Sequence, residues 1–193
     1  METGLVLRYI GLSLASYLIG AIPFSYLIAK LASGKDLREH GSGNVGASNT
    51  ARVVGKVYGG LALLGDVGKG LLAAYLASLF LSPLIGCLAI VGHIWTPFLN
   101  FSGGKGVATS LGALSFFSWQ GGLIFALIWI GLIALWQVAA ISSLVAMASF
   151  PISFWLLGIR GYGFWAGLGT FLLIVFTHRE NIARLLQGEE NKV

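Results

Sequence analysis

Gly41-Ser42-Gly43-Asn44-Val45-Gly46-Ala47-Ser48-Asn49-Thr50-Ala51-Arg52 is a polar, glycine-rich island between two long apolar runs, 4–31 before it and 58–80 after it. A helix needs about 20 apolar residues to cross a bilayer, and both flanking runs meet that length. Outward from this island the pattern repeats. Ser102-Gly103-Gly104-Lys105-Gly106 interrupts the apolar sequence a second time, and Thr177-His178-Arg179-Glu180-Asn181 a third. Further apolar runs cover 83–99, 107–117, 121–138, 141–157 and 162–177. The pattern predicts an all-α, polytopic integral membrane helix bundle with about seven transmembrane helices. Five full spans are the alternative, if 83–99 and 107–117 form a re-entrant pair. Pro23 predicts a kink in the first run.

Composition agrees with this. The 193 residues are 56% hydrophobic and 10% charged, whereas soluble domains carry about 25% charged residues. Residues 1–193 read as one compact membrane domain, with 187–193 a disordered tail. The first run lacks a small-residue cleavage site and is long enough to span, so no cleavable signal peptide is expected. Cys87 stands alone, which excludes an intrachain disulfide and offers no metal-ligand spacing. No metal or other cofactor is implied.

Charge sets the orientation. With seven spans, Lys30, Lys35, Arg38, Arg52, Lys56, Lys105, Arg179, Arg184 and Lys192 fall on one side, and only Arg8 and Arg160 on the other. The positive-inside rule puts the rich side in the cytoplasm, the N-terminus outside and the C-terminus inside. This accounts for a pI near 9.6 without nucleic acid. All three polar islands fall on the cytoplasmic side, together with the turn at 137–143. That convergence points to one site.

Polar groups are costly at membrane depth and mark binding or reaction when they persist. Glycines and short polar residues in 41–49 form turns whose successive N–H groups bind anions, and Arg52 adds a fork that suits phosphate. The loop 103–106 opens a helix, whose N-terminus also attracts anions. It is not a nucleotide-binding loop, because Leu99 stands where the first glycine belongs and Gly106 where Ser or Thr follows the lysine. His178 and Asn181, three apart, share a helix face. His178 suits orientation of a hydroxyl or general-base work. Asp66 and Lys69, at i, i+3 inside the second run, read as structural support, as does Glu180. His93 reads as a hydrogen-bonding helix residue. Trp95, Trp119, Trp129, Trp136, Trp155 and Trp165 read as lipid-facing or interfacial anchors.

Absences narrow the chemistry. The positions five after His40, His93 and His178 are Val45, Phe98 and Ala183, so the His-x4-Asp site of the common glycerolipid acyltransferases is missing. No HExxH or G-x-S-x-G motif occurs.

Taken in order, G-S-G-N-V-G-A-S-N-T-A-R from Gly41, F-S-G-G-K-G-V-A-T from Phe101 and T-H-R-E-N-I from Thr177 resemble the three cytoplasmic motifs of the bacterial membrane glycerol-3-phosphate acyltransferases that use acyl-phosphate. The stretches 66–70 and 92–93 also look like family positions. Ser48 stands where the family usually has threonine, and Ser102 where a basic residue is common.

The resemblance implies acyl transfer from acyl-phosphate to the 1-hydroxyl of glycerol 3-phosphate, giving lysophosphatidic acid and phosphate in the first acylation of phospholipid biosynthesis. It implies a multi-pass protein of the bacterial cytoplasmic (inner) membrane, with glycerol 3-phosphate, acyl-phosphate and membrane lipid as partners and the acyl-phosphate-making enzyme as a possible neighbour. By the match, Lys105, His178, Asn181, Ser42 and Arg52 are catalytic candidates. Gly43, Asn44, Gly46, Ser48, Asn49, Gly103, Gly104, Gly106 and, in the adjoining turn, Ser143 are substrate-binding candidates. The proton acceptor is either His178 or the donor's phosphate. The rival class is a small carrier for phosphate or glycerol phosphate, which would hold its binding groups near the midplane.

Overall fold

A computed structural model describes residues 2–192. The first apolar run forms α1 (Glu2–Ala21) and α2 (Phe24–Ser33). Pro23 has no N–H to continue the helical ladder, so the run breaks there. The freed carbonyls are not left unpaired. Ala21 O accepts from Thr96 Oγ1 at 2.7 Å and Ile22 O from Lys69 Nζ at 2.7 Å. Irregular backbone in a membrane protein survives only where protein groups satisfy it in this way.

The first polar island is an ordered loop leading into α3 (Ala47–Val53). Next comes α4 (Lys56–Phe80), a central post that packs against α1, α2, α3 and the three helices that follow it. The third run is fragmented into α5 (Pro83–Gly86), α6 (Leu88–Ile94) and a 3-10 turn at Pro97–Leu99. The remainder is α7 (Val107–Ser115), α8 (Trp119–Trp136), α9 (Ala139–Leu156), α10 (Tyr162–Thr177) and α11 (Arg179–Gln187).

The apolar runs thus give helices of unequal length. Among the described residues, four are long and apolar enough to cross a membrane: Glu2–Ser33 taken through its break, α4, α8 and α9. Pro83–Leu99 and Tyr162–Thr177 are shorter. The nine residues of α7 reach about 14 Å at 1.5 Å per residue, under half of a hydrocarbon core of about 30 Å. A glycine loop enters α7 and the turn before Ser118 ends it. Its Thr109, Ser110, Gly112, Ala113 and Leu114 are all buried.

Packing divides the bundle into two halves. Around α1, α4, α6 and α7, glycines let backbones touch. Gly20 faces Ala89 while Gly92 faces Tyr17, and Gly70 faces Thr109 while Gly112 faces Val67. Such small-residue contacts replace the hydrophobic drive that lipid removes. Around α8, α9 and α10 the core is instead bulky. Phe125 stacks on Phe150 at 5.4 Å, Phe150 meets Phe154 edge-on at 5.6 Å, and Met147, Leu114 and Ile174 close the cluster. The site lies at the seam between the two halves.

Candidate active site

Asn49 organises the first island. It is 1% exposed, and its side chain joins five points of the loop. Oδ1 accepts from Ser42 N at 2.9 Å and from Arg52 Nη1 at 3.3 Å. Nδ2 donates to Leu37 O, His40 O and Asn44 O at 3.2, 2.9 and 3.0 Å. Its polar atoms are therefore engaged by the protein, which makes it a scaffold for Ser42 and Asn44. Gly41 turns at φ +64° directly against Asn49, where a Cβ would collide. At the loop's outer edge Arg38 pairs with Asp36 at 2.7 Å and holds that carboxyl down at about 2.

The second island also differs from its sequence reading. The amides of Gly103 and Gly104 donate to Ile94 O at 3.0 Å and His93 O at 3.2 Å, so they do not cradle an anion. The glycines serve close approach: a Cβ at Gly103 would meet His93 O, and one at Gly104 would meet the His93 ring and Val45 O. The loop is thereby clamped to the end of α6, and Gly106, at φ +89°, turns it into α7 without a side-chain cap. Lys105 projects from this clamp and donates from Nζ to Asn181 Oδ1. Burial pushes its ammonium down to about 8, with Glu190 acting in the opposite direction.

In the third island, Thr177 Oγ1 donates to Lys105 O at 3.1 Å and ties the last turn of α10 to the lysine loop. His178 is buried, and its Nδ1 donates to Ile174 O at 2.8 Å, which leaves the Nε2 lone pair open. Burial, reinforced by Lys105, lowers its pKa to about 4. The ring is neutral at pH 7 and is a weaker base than an ordinary histidine. The Glu180 side chain is 75% exposed and lies 3.8 Å from Arg179.

Beneath these loops lies a buried ionic centre. Asp66 Oδ1 is 2.8 Å from Lys69 Nζ and 3.4 Å from His93 Nδ1, while Ser25 Oγ donates to Asp66 Oδ2 at 3.1 Å. It joins α2, α4 and α6 beneath the clamped lysine loop. Asp66, Lys69, His93 and Ser25 thus form one buried polar cluster.

Ser42, Asn44, Gly46, Ser48, Asn49, Arg52, Lys105, Gly106, Ser143, His178 and Asn181 line one cavity of about 200 Å³. Gly43, Gly103 and Gly104 line a second recess, which shares Ser42, Asn44, Lys105 and Asn181 with the first and adds Arg38, Arg179 and Arg184. Alongside these polar groups the first cavity is lined by apolar side chains, Leu63, Leu111, Phe125, Ala126 and Ile130 among them. Trp129, read as a membrane anchor, lines this cavity and donates from Nε1 to Ser143 Oγ at 3.2 Å. Glu190 and Asn191 line it too. In sequence they fall in a polar stretch that reads as loose tail and carries no signal for a site.

Comparison with known proteins fits this geometry. The family model for glycerol-3-phosphate acyltransferase matches residues 10–188. A glycerol-3-phosphate acyltransferase of Desulforudis audaxviator is 41% identical over 97% of this chain and 95% of its own. One of Thermotoga petrophila is 43% identical over 92% of each. Crystal structures of PlsY, an integral membrane glycerol 3-phosphate acyltransferase, superpose with TM-scores of 0.91 for the glycerol 3-phosphate form and 0.87 for the lysophosphatidic acid form. They are 35% and 34% identical and cover 96% of this chain, and 96% and 95% of theirs. The fold and site define a multi-pass membrane acyltransferase. The chain belongs to the glycerol-3-phosphate acyltransferase family, and the carrier reading is set aside.

Proposed function

We propose that the chain transfers a fatty acyl group from acyl-phosphate to the 1-hydroxyl of glycerol 3-phosphate, releasing lysophosphatidic acid and phosphate. One observation carries this reading: the cavity is cationic and hydrogen-bonding at Lys105, Arg52, His178 and Asn181, and apolar at Leu111, Phe125, Ala126 and Ile130. A donor with an anionic head and a hydrocarbon tail matches both kinds of lining. The site faces the cytoplasm of a bacterial inner membrane, with seven chain passes and the N-terminus outside. The positive-inside distribution of Lys and Arg supports that orientation.

The glycerol hydroxyl oxygen attacks the acyl carbonyl carbon, and the carbon–oxygen bond to phosphate breaks. An acyl-phosphate is a mixed anhydride with a good leaving group, so no covalent enzyme intermediate is needed. Lys105 and Arg52 hold the phosphates and stabilise charge developing on the leaving group, and holding both substrates together supplies proximity. The hydroxyl proton goes to the departing phosphate. Its second pKa near 6 makes it the better acceptor than His178, which sits at about 4. His178 Nε2 accepts a hydrogen bond from the hydroxyl and aims it.

The test is turnover by purified protein in lipid, with glycerol 3-phosphate and palmitoyl-phosphate, palmitoyl-CoA or palmitoyl-ACP, following phosphate and lysophosphatidic acid together. Equal formation of both from palmitoyl-phosphate alone is expected, and activity confined to a thioester would overturn the donor assignment. His178→Ala is expected to lose less than about 100-fold in kcat, below the usual range for removing a general base. A loss of about 10⁴ would restore His178 as the proton acceptor.

A further inference from the structure

A carboxylate supplied by the chain itself already occupies Asn181 and the adjoining Arg184. Gly188 ends α11 in the left-handed conformation, φ +74°, with its amide on Leu185 O at 3.2 Å and that of Glu189 on Arg184 O at 2.8 Å. This turn sends 189–192 back across the mouth of the cavity. Glu190 Oε1 accepts from Asn181 Nδ2 at 2.6 Å and Oε2 from Arg184 Nε at 2.9 Å. Two residues on, Lys192 O accepts from Arg52 Nη2 at 2.9 Å and Nε at 3.3 Å. The Glu190 side chain is 8% exposed, an unusual degree of burial for a carboxylate outside the apolar bundle. Asn181, Arg52 and the adjoining Arg184 are thus engaged by this segment.

We propose that residues 188–192 form a strap that competes with substrate, the Glu190 carboxylate occupying donors that the anionic group of glycerol 3-phosphate takes when it binds. The proposal rests on the functional reading above. A phosphate displaces the strap because it brings more charge and more acceptor oxygens to the same donors. The strap keeps Asn181 and Arg52 ordered and screened while the site is empty. It lowers apparent affinity by the fraction of molecules in which it is open, leaving the chemical step unchanged once substrate is in place.

Two substitutions, one at the carboxylate and one at the turn, test this. Glu190→Gln weakens the strap's hold on the donors. Gly188→Val leaves Glu190 in the chain but opposes the left-handed turn that returns it. If the strap is closed in about nine molecules of ten, each variant lowers KM for glycerol 3-phosphate and the competitive Ki of inorganic phosphate by up to about tenfold, with kcat unchanged. A fall in KM confined to Glu190→Gln would mean that only the local negative charge mattered, and the strap would be refuted. A fall in kcat, or an unchanged KM in both variants, would refute it too, the former making Glu190 a part of the working site. Wild-type protein that acylates no glycerol 3-phosphate would sink the functional reading and the strap with it. Normal turnover indifferent to both substitutions would sink the strap alone.

Discussion

Asn49→Asp separates a scaffold from a substrate ligand with almost no change of shape. The carboxylate keeps an acceptor for Ser42 N and Arg52 but loses the Nδ2 donor that holds Leu37 O, His40 O and Asn44 O. Three carbonyls then face an anion in a place that is 1% exposed. The amide nitrogen carries two hydrogens, so at about 1 kcal/mol for each lost hydrogen bond the ordered loop weakens by about 2 kcal/mol, about thirtyfold in its opening equilibrium. Stronger binding of Asp to Arg52 recovers part of this. The loop lies outside the apolar bundle, so thermal unfolding of the bundle is expected to move little. The assay is hydrogen exchange of the Ser42 amide in substrate-free protein, alongside kcat/KM. Expected are exchange faster by roughly one to two decades and a matching loss of kcat/KM. Unchanged exchange with lost activity would refute the scaffold and make Asn49 a direct substrate ligand. Full activity would refute its importance altogether.

Two further outcomes follow from the same geometry. Burial holds the Lys105 ammonium at about 8; its charged form exists below that pH and is lost above it. The kcat/KM of the free enzyme is therefore expected to fall above about pH 8 by one proton, and a profile flat to pH 10 would refute the lowered Lys105 pKa. Gly70→Ala puts a methyl group against the Thr109 backbone where α4 meets α7. Forced separation of two packed helices costs about 1–3 kcal/mol, read as a lower midpoint in a thermal scan in detergent.

The islands at 41–52, 102–106 and 177–181 were visible as a site because polar residues are rare in such a chain, and their rarity needs no coordinates. The break at Pro23 was likewise local, since a missing N–H acts on its own helix. Gly103 and Gly104 read wrongly as an anion cradle. A glycine at a helix entrance has the same local signature whether its amide meets a ligand or a carbonyl of α6. Glu190, in the polar tail, carries no local signal of a role, and only the turn at Gly188 brings its carboxylate to Asn181.

By itself the sequence determined the material of this protein: apolar helices too rich in hydrophobic residues for water, and three polar islands too costly to be carried without use. Hydropathy and motif order are properties of short stretches, so a linear reading reaches them. Tertiary structure alone decided which groups are free to act. It engaged Asn49 and the loop glycines internally, set Lys105 on a clamp over the Asp66–His93 centre, and brought the strap across the cavity mouth. Those outcomes depend on contacts between residues as far apart as Arg52 and Lys192, and no local pattern encodes a partner at that separation.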